Sequence, residues 1–533
     1  MGIPSFYKHL LRKYKGITAS ALAGVGLSSV DLLALDFNCI IYSAMKTMPN
    51  AFSPTYEEDL IREVGVWLDR LCAMIPSTAL YIAVDGAVPC AKIHQQRLRR
   101  YKSAFMTLED NLLRAQLGLE EKEAGWDRNA ITPGTQFMDK MNKFLVGYSK
   151  KLGGSIVSGT DEPGEGEHKI MRYLKTIDAK NVVIYGMDAD LILLGMLKAE
   201  QTGRRGKIVL VREKDEVKDT SQITLQFFAP SAAAEVLWKE SGSTASLHDW
   251  IFDYVAIMSV LGNDFLPHSL GFSIREDGIN ELLTALEDCC VATGSRLTSS
   301  DLMGRKINVP VLQKIFEFLA SGEERKVALW LRQKDKWYPP ALKATDPWER
   351  AVEERESEPM RRRTEMFLFS QSKGGGWVKP EWRDLLEVHH FGGRTKDASL
   401  GFLQGFAWVH SYYLDCDSVD MSWYYPWSAP PTFKTLASVL SVDGLPSLGV
   451  LASPAPRKQV QSTYVKPLEQ LVMVLPPQSF HLLPPRIAEK LRNEHFEYIP
   501  YGFQLEMFGK RFLWESEPRI PFLPRSLAKK ICS

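Results

Sequence analysis

The chain has 533 residues, too many for one ordinary domain, so we expect two or more. Hydrophobic residues make up 45% of the chain and charged residues 24%, as in ordinary globular proteins, and no apolar stretch is long enough to span a bilayer. The formal net charge of +1 gives no argument for or against nucleic acid, so any such surface must be local. The seven cysteines are scattered without a CxxC pair, which disfavours a zinc site, and no signal peptide is visible, so we expect an intracellular protein.

The first half of the chain alternates helical patterns with short apolar runs, and an acid follows each run. Helices are predicted over residues 1–14 and 56–74. The run LLAL leads into Asp36, LYIAV leads into Asp85, and VVIY is followed by Asp188 and Asp190. Such runs are typical of buried parallel strands, and ligands bind beyond the carboxyl ends of such strands. The pattern predicts an α/β fold with a mostly parallel sheet.

Residues 91–103, with the sequence AKIHQQRLRRYKS, hold five basic residues and no acid. Lys92, Gln96, Arg99 and Arg100 fall at helical spacing on one face. Arginine forks and lysine ammonium groups match phosphate oxygens, and this helix would begin just after Asp85. The alternative is a solvated charged face. Beyond it, a mobile excursion is predicted over residues 104–130.

Two further acids interleave with glycines, and a third follows a looser apolar run. Glu165 and Glu167 alternate with Gly164 and Gly166, and Asp264 follows a predicted helix over residues 247–261. Acids gathered at one edge would repel each other, and hard cations relieve that repulsion. The set therefore predicts a site for two Mg²⁺ ions, and the alternative is that its members are helix caps and turn residues. We call it the carboxylate cage: Asp36, Asp85, Glu165, Glu167, Asp188, Asp190 and Asp264.

The second half changes character around residues 335–363, which are rich in proline and charge. We predict an N-terminal domain over residues 1–334, a charged linker over 335–363 and a C-terminal region over 364–533. The last of these contains a predicted helix at 402–414 and a predicted hairpin at 505–514, turning at Gly509. Its many aromatic residues are more often core than ligand platform.

Segments in both halves of the chain carry a family resemblance. In the first half these are MGIPSFYKHL, LDFNCIIY, VDGAVPCAKIHQQRLRR, ITPGTQFM, PGEGEHKIM, YGMDADLILLG and LGNDFLPH. In the second half they are GFAWVHSYYL, SWYYPW, LEQLVMVLPPQSFHLLP and FGKRFLW. They resemble the two conserved regions of the 5′→3′ exoribonucleases, the XRN family, and the chain is identified as a short member with only these two regions. The resemblance implies a PIN-like domain of the flap-nuclease superfamily, with a C-terminal α+β conserved region packed against it.

The resemblance also implies a role for each group of residues. The seven acids of the carboxylate cage would hold two Mg²⁺ ions, with Mn²⁺ as a possible substitute. A 5′-monophosphate would bind to Lys92, Gln96, Arg99 and Arg100. Trp423 would stack on the first base, opposite Tyr42, which stands where the family usually has histidine.

The implied function is a processive 5′→3′ exoribonuclease that uses two-metal-ion catalysis in RNA turnover or mRNA decay. It would hydrolyse single-stranded RNA bearing a 5′-monophosphate to nucleoside 5′-monophosphates, as a monomer, in the nucleus or cytoplasm. A DNA flap nuclease would use the same acids, but the second conserved region disfavours it. A non-catalytic RNA-binding scaffold would keep the basic helix and the aromatics, but the intact acids disfavour it.

Overall fold

A seven-stranded sheet forms the centre of the computed structural model, which describes residues 2–48, 51–153, 155–186, 188–201, 207–214, 223–301, 304–372, 375–441 and 464–533. The strand order is β1-β7-β6-β5-β2-β3-β4. Five adjacent strands, β4, β3, β2, β5 and β6, run parallel to one another, whereas β7 is antiparallel to β6 and β1 is antiparallel to β7. The predicted mostly parallel sheet is therefore confirmed. The strands are β1 (Thr18–Ala19), β2 (Leu32–Asp36), β3 (Ala79–Ala83), β4 (Ser155–Ser158), β5 (Asn181–Tyr185), β6 (Lys207–Glu213) and β7 (Leu225–Phe228).

The sheet is buried on both faces because consecutive residues of its strands point to opposite sides. In β2, Leu32 and Ala34 belong to one hydrophobic core, and Leu33 and Leu35 belong to the other. Leu35 pairs with a residue near the end of β3 on one side and with Tyr185 of β5 on the other. The carboxyl ends of these three strands are therefore level, so the residues that follow them meet at one edge.

Helices cover both faces of the sheet. Those of the first half are α1 (Phe6–Lys13), α2 (Asn38–Thr47), α3 (Tyr56–Met74), α4 (Cys90–Gln116), α5 (Gln136–Leu152), α6 (Gly166–Tyr173), α7 (Asp190–Gln201), α8 (Pro230–Ser241) and α9 (Leu247–Met258).

All seven cysteines are free. Within the described ranges, the helices are too short or too polar to cross a bilayer.

The rest of the chain is mainly helical, with short two-stranded ribbons. Its helices are α10 (Gly278–Thr293), α11 (Val309–Lys336), α12 (Pro347–Glu356), α13 (Glu358–Arg362), α14 (Trp382–Phe391), α15 (Thr395–Leu414), α16 (Phe433–Leu440), α17 (Pro467–Val474), α18 (Pro485–Glu494) and α19 (Arg525–Cys532). Its strands are β8 (Thr298–Asp301), β9 (Gly304–Ile307), β10 (Phe369–Ser372), β11 (Gly375–Val378), β12 (Leu505–Glu506) and β13 (Glu517–Pro518). The helix α11 runs across residue 334, and α12 and α13 lie within residues 335–363.

The prediction of a mobile, irregular excursion over residues 104–130 is wrong for its first half, because α4 continues without a break to Gln116. Contacts with α12 hold its second half. Arg355 donates to the carboxylate of Asp110 at 2.5 Å, and the guanidinium of Arg114 lies 4.4 Å from the ring centre of Trp348. These partners are distant in sequence, so local composition gave no sign of them.

The predicted tight hairpin over residues 505–514 is also wrong. Leu505 pairs with Pro518 and Glu506 with Glu517, so the ribbon closes only after a long loop. Gly509 lies in that loop with φ of +72°, a left-handed conformation that glycine adopts without strain. The loop carries exposed residues that become important below.

The C-terminal region packs directly on the first part of α4. The side chain of Arg97 is fully buried there and donates to the backbone carbonyls of Met473 at 2.8 Å and Pro521 at 3.1 Å, and also to that of Tyr498. A guanidinium without these acceptors would be costly to bury, so α4 depends on the C-terminal region for its position.

A buried ion pair joins α11 to the same region. Lys334 and Glu365 are almost completely buried, and the ammonium also donates to the carbonyl of Pro359 at 2.9 Å. The second carboxylate oxygen of Glu365 accepts from the backbone N–H of Gly509 at 2.6 Å. Both charges are therefore paired and hydrogen-bonded, which is the condition for tolerating them in the interior.

Candidate active site

The structure brings all seven acids of the carboxylate cage together at the carboxyl edge of the sheet. Asp36 ends β2, Asp85 follows β3, and Asp188 follows β5. Oxygens of Glu167, Asp188 and Asp190 all lie within 4.8 Å of one another. Glu165 and Asp264 are joined by the ammonium of Lys92, at 3.0 Å and 2.8 Å. The predicted convergence of these acids is therefore present.

Local backbone geometry explains how the chain presents these acids. Glu165 and Glu167 occupy the start of α6, and Asp190 starts α7, where the free N–H groups and the helix dipole favour negative charge. The backbone N–H of Gly166 donates to Asp85 at 2.8 Å. A Cβ atom at Gly166 would lie 2.4 Å from an Asp36 carboxylate oxygen, so only glycine fits there.

The turn before Asp264 is built differently, because it follows a helix rather than a strand. The amide oxygen of Asn263 accepts from the backbone N–H groups of Phe265 and Leu266, each at 2.9 Å. Gly262 adopts a φ of +83°, which frees the chain to turn after the helical segment. Asn263 thus fixes the loop that carries Asp264 towards the carboxylate cage.

The carboxylate cage is short of positive charge. Burial and the neighbouring acids, first Asp85 and then Asp188, raise the pKa of Asp36 well above its usual range. The pKa of Glu167 is also raised well above its usual range, by burial and by the charges of Asp188 and Glu165. The pKa of Asp190 rises to about 8 through burial, with Asp188 as the next cause. These shifts show that further cations would be stabilised here.

The donor set fits hard divalent ions. It consists of carboxylate oxygens, the ligands that Mg²⁺ and Mn²⁺ prefer. Within the described chain, the Oδ1 atom of Asp190 is buried and has no hydrogen-bond donor. Such an orphaned oxygen is costly unless something else coordinates it. The residues present therefore fit a metal site.

Lys92 lies inside the carboxylate cage. Burial alone would lower the pKa of its ammonium, but Asp264 and Glu165 raise it well above its usual range. The side chain neutralises part of the acidic charge, an arrangement that its place on the basic helix face did not predict. Its expected role in phosphate binding stays a prediction.

One cavity reaches both acids of the carboxylate cage and basic residues of α4. A cavity of about 270 Å³, which we call the cage cavity, is lined by Asp36, Asn38, Cys39, Tyr42, Asp85, Lys92, Gln96, Arg99, Arg100, Ile131, Pro133, Asp188, Asp264 and Gln470. Gln96 accepts from the side chain of Gln470 at 3.4 Å. Arg100 is buried, its Nη1 has no acceptor within the described residues, and burial lowers its pKa to about 10. A buried guanidinium with an unused donor is suited to an anionic ligand.

The two predicted stacking residues lie in different surroundings. Tyr42 lines the cage cavity, and 41% of its side-chain surface is exposed. Trp423 does not line it; its ring stacks on Trp408 with centres 5.0 Å apart and packs against Gly405. The stacking of Trp423 on a base stays a prediction.

Sequence reasoning missed several residues that support the acids. The hydroxyl of Tyr412, in α15, donates to Glu165 at 3.4 Å, and the ring of Tyr412 lies 4.0 Å from that of His168. Lys169 is buried and donates to the carbonyls of Val84 and Gly159, each at 2.7 Å. Lys169 could have been noticed in the PGEGEHK motif, but nothing in the spacing of α15 pointed to the carboxylate cage.

Comparison with known proteins identifies two matching family models. The model described as XRN 5′-3′ exonuclease N-terminus matches residues 1–214, and the model described as Xrn1 helical domain matches residues 245–365 and 387–529. Together they cover most of the chain, including every acid of the carboxylate cage.

Similar curated proteins are named 5′-3′ exoribonucleases. The chain is 24% identical to the 5′-3′ exoribonuclease 2 homolog of Drosophila melanogaster, covering 98% of this chain and 70% of that protein. It is 26% identical to 5′-3′ exoribonuclease 1 of Homo sapiens over 98% of this chain, but spans only 33% of that protein. For 5′-3′ exoribonuclease 2 of Saccharomyces cerevisiae the identity is 30%, over 61% of this chain and 39% of that protein.

Proposed function

Because the chain belongs to the XRN 5′-3′ exonuclease family, we propose that it is a processive 5′→3′ exoribonuclease acting on single-stranded RNA with a 5′-monophosphate. Its products are nucleoside 5′-monophosphates, and the reaction serves RNA turnover or mRNA decay. One observation carries the proposal. A single cavity is lined both by four acids of the carboxylate cage and by Arg100, whose Nη1 has no acceptor among the described residues. A terminal phosphate bound at Arg100 directs the adjoining phosphodiester towards the acids.

The acids would hold two Mg²⁺ ions, for which Mn²⁺ can substitute. One group is Asp36, Asp85 and a glutamate of the pair Glu165 and Glu167, and the other is Asp188, Asp190 and Asp264. When bound, such ions supply an activated water and stabilise the charge of the leaving 3′-oxygen. The raised pKa of Asp190, and its Oδ1 atom without a hydrogen-bond donor among the described residues, support this assignment.

The remaining residues bind and orient the RNA. Arg99 and Arg100 donate to the 5′-phosphate, and Gln96 adds a neutral donor. The exposed ring of Tyr42 stacks on the first base, with Trp423 as the opposing ring. Each cleavage leaves a new 5′-phosphate on the shortened RNA, so the same groups bind it again and the enzyme stays on one strand. An intracellular location and a monomeric state belong to the same proposal.

The test is digestion of one RNA sequence with a 5′-monophosphate, a 5′-triphosphate or a 5′-hydroxyl end. We expect Mg²⁺-dependent release of mononucleotides from the 5′-monophosphate RNA, much slower digestion of the other two, and none in EDTA. A labelled DNA flap serves as the competing substrate. Preferred cleavage of the flap, or equal digestion of all three RNA ends, would contradict the proposal.

A substitution separates catalysis from binding. Asp188→Ala should abolish cleavage while RNA binding largely remains, because Asp188 holds metal rather than the strand. Asp178→Ala, at an exposed acid remote from the cage, is the matched control and should cleave normally. If Asp188→Ala cleaved RNA at the wild-type rate, the metal assignment would be wrong.

A further inference from the structure

A second and larger cavity lies beside the cage cavity. It has a volume of about 430 Å³ and shares Arg99 and Asp264 with the cage cavity as common walls. Its other walls are the neighbouring edge of α4, the loop over residues 261–276, parts of α11 and α14, and the loop between β12 and β13. The cage cavity holds only the first part of an RNA strand, so the rest of the strand must continue outside it. The second cavity is a space that adjoins it.

The rim of the second cavity carries two exposed aromatic rings. Phe512 is 42% exposed and Trp514 is 54% exposed, and their rings are nearly parallel, at 9°, with centres 6.0 Å apart. Leu513 between them is buried, which anchors the segment and turns both rings outwards. Trp514 itself lines the second cavity. We call Phe512 and Trp514 the aromatic platform.

The aromatic platform is fixed relative to α4. The ammonium of Lys102, one helical turn beyond Arg99, donates to the backbone carbonyls of Trp514 at 2.8 Å and Ser516 at 2.9 Å. Arg275 pairs with Glu515 at 2.9 Å on the other side. The rings are therefore held beside the basic face of α4 without being buried.

Most acids that line the second cavity are paired with a cation. Glu276 pairs with Arg511 at 3.0 Å, Glu506 pairs with Arg519, and Glu323 pairs with Arg383 at 3.5 Å. Glu515 pairs with Arg275, whereas Glu517 makes no ion pair among the described residues.

Among the described residues that line the second cavity, cations without an ion pair outnumber acids without one. Among the described residues, the ammonium of Lys510 and the guanidinium of Arg99 make no ion pair. Lys510 lies within the segment that carries the aromatic platform, and Arg99 lies on the wall shared with the cage cavity. Free cations beside exposed rings are the combination that binds single-stranded nucleic acid, through the phosphates and through stacking.

The geometry points to a downstream RNA subsite: the strand leaves the cage cavity along the wall that the two cavities share, crosses the second cavity, and stacks a base on Trp514 with a phosphate at Lys510. This inference rests on the proposed function and adds to it a place for the nucleotides beyond the first. An exposed aromatic pair can also receive a protein, but the free cations and the walls shared with the cage cavity favour RNA.

The test compares RNA lengths in the full-length protein. Steady-state hydrolysis is measured with a 5′-monophosphorylated dinucleotide, which has one phosphodiester, and with a 15-nucleotide RNA. Stacking of a base is worth about 1–3 kcal/mol, so we expect Trp514→Ala to raise the KM for the 15-mer about five- to 150-fold relative to the dinucleotide. Trp514→Phe keeps a ring and should restore most of the affinity.

Two controls sharpen the comparison. Trp337→Ala removes an equally exposed tryptophan, 58% exposed at the end of α11, and should leave the ratio of the two KM values unchanged. Lys510→Ala should lower the salt dependence of 15-mer binding by about 0.7 in the logarithmic slope, as expected for one lost phosphate contact.

The inference is overturned if Trp514→Ala and Trp337→Ala give the same KM for the 15-mer. It is also overturned if Trp514→Ala impairs both substrates equally, since that marks a purely structural role. Failure of the proposed function looks different: the wild-type protein would then hydrolyse neither RNA.

Discussion

The carboxylate cage should make the metal-free protein less stable as pH rises, and Asp190→Asn should remove part of that loss. The pKa of Asp190 is about 8 in the folded chain, against an ordinary value of 3.8. Between about pH 4 and pH 8 the folded chain therefore binds a proton that the unfolded chain has released. In that window the stability contributed by the protonated group is lost as pH rises towards the folded pKa.

The magnitude follows from the same two pKa values. They differ by about four pKa units, and each unit is worth about 1.4 kcal/mol, which gives a ceiling of about 6 kcal/mol. Part of the shift of Asp190 comes from the charges of Asp188 and Asp264, and a coupled acid does not titrate independently of its neighbours. We therefore expect Asp190→Asn to stabilise the metal-free protein by about 2–3 kcal/mol at pH 8 and by almost nothing at pH 4.

The assay is urea unfolding in EDTA at several values between pH 4 and pH 8.5, repeated with excess Mg²⁺. Bound metal should stabilise the wild-type protein and flatten its pH dependence, with a smaller effect on Asp190→Asn, because the variant has lost a ligand. Asp178→Asn serves as the exposed control and should follow the wild-type curve. The reasoning is refuted if wild type and Asp190→Asn keep a constant difference in stability from pH 5 to pH 8.

Three other substitutions test separate contacts. Arg100→Ala should lower the preference for 5′-monophosphate over 5′-hydroxyl RNA at least tenfold, measured as a ratio of kcat/KM; an unchanged ratio would place the phosphate elsewhere. Tyr412→Phe removes a hydroxyl that holds a cage carboxylate and should raise the Mg²⁺ concentration for half-maximal activity about tenfold, whereas Tyr254→Phe, at a buried hydroxyl away from the carboxylate cage, should not. Glu365→Ala leaves a buried ammonium unpaired and should cost about 3–5 kcal/mol in urea unfolding; a loss comparable to that of the exposed Glu354→Ala would contradict this.

The sheet and its acids could be predicted from the sequence because their signals are local. Each buried parallel strand is a short apolar run, and an acid after such a run, as with Asp36 and Asp85, must lie at the carboxyl edge. Convergence then follows from the parallel order of the strands. The antiparallel edge formed by β7 and β1 was not visible, since β1 has only two residues.

Features that depend on distant contacts could not be predicted. The contact of Tyr412 with Glu165 spans 247 positions, and the second half of α4 is held by Arg355, 245 positions from its partner. Helical spacing placed Lys92 correctly on the same face as Arg99, but it does not decide where a long flexible side chain ends. Lys92 reaches the acids because the loop carrying Asp264 brings a carboxylate within 2.8 Å.

In the proposed reaction, the ammonium of Lys92 would make metal loading and RNA capture interdependent. It is a built-in counter-ion for Glu165 and Asp264, and an incoming divalent ion must compete with it for those two carboxylates. Once displaced, the same ammonium becomes available to a phosphate. Bound metal would then strengthen phosphate binding by some factor. By thermodynamic reciprocity, a bound phosphate that holds the displaced ammonium would strengthen metal binding by that same factor. A single internal cation would thus turn the two proposed binding events into one cooperative step.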